Sequence, residues 1–189
     1  PQFFVIYTGP ITKIAQKHNL NVHLYADDTQ LYLSFDAKLP GDELLAVSRV
    51  QDCANDIKKW MRQNKLKLND DKTEFMIMSS KRQQRHVSSG SIMIGDSVIK
   101  CTSKVRNLGI MFDNTMSMQQ HVKKMCQSGY FHLRNINSIR KLLTKENTEK
   151  LIHAFVSSRL DCGNSLLFGI PEHLIHRLQL IQNAAARSI

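Results

Sequence analysis

The pattern of apolar and polar positions divides the chain near residue 114 into a mixed first part and an all-helical second part. Residues 11–18 have a short helical pattern, closed by Asn19-Leu20-Asn21, and Val22-His23-Leu24-Tyr25-Ala26 then reads as a strand. After Asp27-Asp28 a second strand is predicted over residues 29–35, where Leu31, Leu33 and Phe35 alternate onto one face. The two strands predict a hairpin with both carboxylates at its tip. Pro40-Gly41 breaks the chain, and Val47, Val50, Ala54, Ile57 and Met61 then recur at helical spacing, giving an amphipathic helix from near Asp42 to about Asn64. Lys58, Lys59, Arg62 and Lys65 crowd its end, where cations complement the helix dipole. The polar run Asn69-Asp70-Asp71-Lys72 leads into a predicted strand over residues 73–78.

Residues 79–90 form a polar, basic loop containing Lys81-Arg82-Gln83-Gln84-Arg85-His86, read as a solvated loop first and otherwise as a phosphate contact or a localisation signal. Ser91–Ile94 and Ser97–Lys100 flank Gly95-Asp96, a hairpin turn by its residue types. Another strand is predicted over residues 105–112, through Leu108-Gly109-Ile110. From Ser117 the period becomes helical, with Met118, Val122, Met125, Leu133 and Ile136 on one face. Thr144 is the expected N-cap of a helix carrying Leu151, Ile152 and Phe155. Pro171 stands where a last helix starts, with Leu174, Leu178, Ile181 and Ala185 inward. The expected fold class is therefore α+β.

Composition is ordinary for a globular chain, so charge is what changes the picture. Lys and Arg number 26 against 16 Asp and Glu, a formal charge of +10, which favours a polyanionic partner such as nucleic acid. No apolar run approaches the ~20 residues that cross a bilayer, and the first residues lack the features of a signal peptide, so neither a membrane nor secretion is expected. Cys53, Cys101, Cys126 and Cys162 are dispersed, without Cys-x-x-Cys pairs, and read as reduced thiols.

The sharpest chemical signal is Tyr25-Ala26-Asp27-Asp28. Adjacent carboxylates at a hairpin tip repel each other and need a compensating cation. Mg²⁺ is the natural one, with Mn²⁺ as the alternative, because hard cations prefer carboxylate oxygen. Such ions serve phosphoryl and nucleotidyl transfer, although Asp-Asp is also plain turn chemistry.

The extended motif Tyr25-Ala26-Asp27-Asp28-Thr29-Gln30-Leu31-Tyr32 resembles the YADD box, the third palm motif, of LINE-type reverse transcriptases of non-LTR retrotransposons. Phe4-Val5-Ile6-Tyr7-Thr8-Gly9-Pro10 is similar to the helix before that box. Trp60-Met61 with Asn69-Asp70-Asp71-Lys72-Thr73-Glu74 looks like the helix and fourth motif after it. Val105-Arg106-Asn107-Leu108-Gly109-Ile110-Met111-Phe112-Asp113 looks like the fifth motif, the primer grip. Residues 178–187 resemble the helical segment beyond the polymerase core. The likeness is collinear over the whole chain and closest to the jockey-like group.

What this resemblance implies is a partial reverse-transcriptase palm over residues 1–113, of antiparallel strands plus a helix, followed by a thumb-like region over 114–189. Asp27 would be a metal-ligand carboxylate and Asp28 its partner. Tyr25 would lie under the primer end and the incoming nucleotide, and Lys72 would position the triphosphate or protonate the leaving pyrophosphate. Leu108, Gly109 and Ile110 would form the grip. Lys123, Lys124, Arg134, Arg140, Lys141 and Lys145 would line a face toward the primer–template duplex, with solvated helix faces as the plain alternative. The implied partners are an RNA template, a DNA primer or target and deoxynucleoside triphosphates, at a nuclear site.

The family's further metal-ligand aspartate and its glycine-rich second motif cannot be placed in this sequence. The expectation is thus a carboxy-terminal part of a polymerase, inactive alone. A non-catalytic basic nucleic-acid-binding module and an unselected relic of a decayed element are the alternatives.

Overall fold

Proline lacks an N–H and fits the first position of a helix, and Pro10 there separates two short helices, α1 (Gln2–Thr8) and α2 (Pro10–Lys17). The computed structural model describes residues 2–85, 87–88 and 90–189; His86 of the basic loop lies outside them. The chain divides into two units, Pro1–Ser103 and Lys104–Ile189.

In the first unit α2 is followed by the antiparallel hairpin β1 (Asn21–Tyr25) and β2 (Asp28–Tyr32). Helix α3 (Asp42–Gln63) starts after Gly41, whose φ of 87° suits glycine, and carries Asp42 and Glu43 in its first turn, where carboxylates favour the dipole. It has an apolar contact on each side. Cys53 and Ile57 pack with Ile11, Ala15 and Leu20, while Ala54 packs with Phe75, Ile77, Ile92, Ile94 and Ile99. The second cluster seats the hairpin β3 (Ser91–Ile94) and β4 (Ser97–Lys100). Burial also pushes the Cys53 thiol up to about 11, helped by nearby Asp56, so it stays protonated and inert.

The strand expected over 73–78 is reduced to one parallel bridge, Phe75 to Cys101, where Thr102 N–H donates to the Phe75 carbonyl at 2.8 Å. Phe75 and Ile77 of this segment are both buried. Their burial is met by an extended segment without a ladder.

In the second unit the single strand expected over 105–112 is a hairpin, β5 (Lys104–Asn107) and β6 (Ile110–Asp113). This hairpin precedes α4 (Gln119–Ile139), and β6 packs on that helix. The contact boundary thus falls before the hairpin. Buried residues on α4 recur as His121, Val122, Met125, Cys126, Gly129, Leu133 and Ile136. Thr144 caps α5 (Lys145–Ile152), its hydroxyl oxygen accepting from Asn147 N–H at 3.2 Å. A π-helical turn, His153–Ser157, joins α5 to the short α6 (Ser158–Asp161). Helix α7 (Glu172–Ser188) then lies against α4, placing Leu174, Ile181 and Ala185 in one core with α4. Burying a side chain of that size contributes roughly 1.5–3 kcal/mol.

Candidate functional site

Register decides what the first hairpin presents. Asn21 pairs with Tyr32, His23 with Gln30 and Tyr25 with Asp28, so these six side chains share one face. Val22, Leu24 and Leu31 occupy the other and pack toward α2 and α3. The apolar alternation therefore turns Tyr25 and Asp28 outward together. The connection is the two-residue turn Ala26-Asp27, in which Ala26 has a φ of 52°. An alanine in that left-handed region costs roughly 1 kcal/mol, and such conformations concentrate at functional positions. Tyr25, Asp27 and Asp28 are exposed. Among the described residues neither carboxylate takes a hydrogen bond or an ion pair.

Carboxylate oxygen is the right donor for Mg²⁺, but that ion takes about six ligands in near-octahedral order. No group of three His, Cys, Asp or Glu side chains able to hold a metal occurs among the described residues. The tip supplies donors of the right chemistry and does not complete a site by itself.

Lys72 ends a 3-10 turn, Asp70–Lys72, and its exposed ammonium forms no ion pair among the described residues. Its neighbour Asp70 is differently placed. Lys58 Nζ donates to Asp70 Oδ2 at 2.7 Å and to the Ile94 carbonyl at 3.0 Å, and Ser97 Oγ donates to the same carboxylate oxygen at 2.7 Å. The Lys58 hydrogen bond, then that from Ser97, holds the Asp70 carboxyl below the usual carboxylate range against some desolvation. This clasp ties α3, the turn and the β3–β4 hairpin into one piece. Sequence reading missed it, since no helical or strand period links residues 58, 70 and 97.

In the second unit Leu108 and Gly109 are the central residues of the β5–β6 turn, with φ of 46° and 87°. Positive φ at both is the type I′ pattern, which matches strand twist. Gly109 thus answers a backbone need, and a Cβ there would meet nothing within 4 Å. Ile110 packs its side chain on Gly163. At the hairpin's end buried Asp113 accepts from Thr115 and Ser117 through both their N–H groups and their hydroxyls, at 2.7–3.1 Å. Burial pushes that carboxyl up, but these hydrogen bonds outweigh it and leave it below its usual value. His121 Nδ1 accepts from Met111 N–H at 3.4 Å, a long bond, while its Nε2 is buried without a partner among the described residues. Burial, with Lys124 adding to it, lowers the imidazole's affinity for a proton.

Lys123, Lys124, Arg134, Lys141 and Lys145 are exposed. Arg140 is half-buried and donates to the carbonyls of Ser188, Leu143 and Ile189 at 2.9, 3.2 and 2.8 Å. Its donors are thus engaged with main chain.

Among the described residues no helix is long and apolar enough to cross a membrane. The sequence profile of one family, reverse transcriptase (RNA-dependent DNA polymerase), matches residues 1–112. No curated protein and no solved structure matches the chain significantly.

Proposed function

The chain belongs to the reverse transcriptase family, and from that premise we propose that it is the later part of a LINE-type polymerase acting at nuclear DNA. In this reading it extends a primer 3′ hydroxyl on an RNA template only when a further metal ligand is supplied from outside residues 1–189. The observation that carries the proposal is the β1–β2 tip, where Tyr25, Asp27 and Asp28 are exposed and the core-facing alternation holds them there. Two unpaired carboxylates on a strained turn have no packing role.

Asp27 and Asp28 hold part of a divalent-metal site in this proposal. When bound, Mg²⁺ or Mn²⁺ supplies alignment of the attacking hydroxyl and neutralisation of phosphate charge. Tyr25, outward on the same face as Asp28, bears on the primer end and the incoming deoxynucleotide. Lys72 meets the triphosphate as a mobile point charge, which its free ammonium suits. The Leu108-Gly109-Ile110 turn contacts primer backbone. Residues 1–113 act as palm and 114–189 as thumb.

Primer extension on an RNA template tests this, using protein expressed from the whole open reading frame that contains the chain. Asp27→Asn should lower the rate roughly a thousandfold, as expected for several kcal/mol of lost transition-state charge stabilisation. The isolated 189-residue chain should stay at background. Extension that survives Asp27→Asn would remove the hairpin tip from the chemistry. A second reading, a nucleic-acid-binding module without catalysis, is favoured by the incomplete ligand set; it predicts binding without extension in every length of chain.

A further inference from the structure

Helix α4 carries Lys123, Lys124 and Arg134 and no Asp or Glu in its 21 residues. At 3.6 residues per turn Lys124 and Phe131, seven positions apart, fall on one stripe of α4, and both are exposed. Phe131 opens a ladder of three rings. Phe131 meets His132 edge-on, with centroids 5.4 Å apart, and His132 stacks on Phe155 at 5.4 Å and 25°. The outer rings are far from buried: Phe131 is 60% exposed and Phe155 43%.

Phe155 reaches this position from the π-helical turn His153–Ser157. Such turns are rare, and they frequently mark functional sites. Of the carboxylates on α5, Glu146 is paired with Lys150 at 2.6 Å. Arg159 adds an exposed cation one turn beyond Phe155. Exposed rings interleaved with cations and free of acids on α4 fit a ligand with flat apolar faces along an anionic backbone.

We infer that the Phe131–His132–Phe155 ladder is a stacking platform for unpaired bases of a single-stranded nucleic acid whose phosphates Lys124 and Arg159 hold. A duplex hides its base faces and gains only the cations; a single strand gains both. The inference shares with the polymerase reading only the class of partner. It needs neither metal nor the carboxylates of the first unit.

The test is fluorescence anisotropy of the full 189-residue chain in EDTA. It compares a labelled single strand of about 12 nucleotides with an abasic strand of the same length and charge. Stacking at about 1–3 kcal/mol per base predicts at least roughly tenfold tighter binding of the base-bearing strand. Phe131→Leu with Phe155→Leu should erase that preference and leave abasic binding unchanged. Equal affinity of the unaltered chain for the two strands overturns the inference without any variant, so a variant that fails to fold does not spare it. A preference that persists in the double variant overturns the site. Equal affinity together with ring-dependent self-association would show that the face docks a second copy instead, again overturning it. Absent primer extension with ring-dependent discrimination intact would sink the polymerase reading alone.

Discussion

Two residues hold left-handed backbone at hairpin tips where glycine or asparagine is the usual choice, Ala26 at φ 52° and Leu108 at φ 46°. Leu108 is also 46% exposed, so packing does not explain it. Leu108→Asn creates the Asn-Gly pair that a type I′ turn prefers, and should raise stability by about 1 kcal/mol in urea unfolding. If the leucine serves the primer, the same change should weaken extension by the longer protein. A stability gain without that loss would make Leu108 an ordinary turn residue. His121 supports a prediction about pH. Its folded affinity for protons lies below the ordinary value of 6.5, because burial and Lys124 disfavour the charged ring. Above pH 6.5 both folded and unfolded chains are neutral at this ring. As pH falls below 6.5 the unfolded chain binds the proton first, so stability declines until the folded pKa is passed. His121→Gln keeps an acceptor for Met111 N–H, so it should lose less stability than the parent between pH 7 and pH 5. Equal losses would mean the imidazole is not held neutral.

At the scale of elements, α4 and α7 meet where Gly129 has no side chain. A Cβ there would stand 3.0 Å from Cγ2 of Ile181, which is fully buried. Alanine gains about 1 kcal/mol of helix propensity, while overpacking costs about 1–3 kcal/mol. Gly129→Ala should therefore lie between neutral and about 2 kcal/mol less stable than the parent, and Gly129→Leu should destabilise by about 3 kcal/mol or more. A leucine variant of parental stability would mean that the helices do not pack here. The inward faces of α3, α4 and α7 were legible in the sequence because helical periodicity is local. The aspartate tip was legible for the same reason, since the alternation of Val22 and Leu24 with Leu31 fixes both strands around it. The β5–β6 hairpin was not, because Leu108-Gly109 is a poor turn signal and the flanking residues read as one strand. Phe155 was expected on the helix capped by Thr144 and stands in the π turn after it, because such a turn shifts the helical phase that pattern reading assumes. The Lys58–Asp70–Ser97 clasp and the engagement of Arg140 depend on tertiary placement, for which spacing carries no sign.

Charge is the property that belongs to the whole molecule. Residues 104–189 hold twelve Lys and Arg against five Asp and Glu, whereas residues 1–103 hold fourteen against eleven. The excess of +10 therefore lies mostly in the second unit, which holds +7 of it. If that part binds nucleic acid through phosphates, affinity falls with salt, and each contact adds about 0.7–0.9 to the logarithmic slope. Cations in the second unit differ in what they can contribute. Lys123 and Lys124 are exposed, so replacing both with Gln should reduce the slope by about 1.4–1.8. Arg140 carries the same formal charge, but its three donor nitrogens are directed at the Ser188, Leu143 and Ile189 carbonyls. Arg140→Gln should leave the salt slope unchanged and lower thermal stability, since half-buried carbonyls at the end of α7 would lose their partner. Binding titrations across ~50–200 mM salt separate the two cases. A slope reduced by Arg140→Gln and untouched by the lysine pair would reverse the assignment, making the half-buried guanidinium the phosphate contact and the exposed lysines mere solvation.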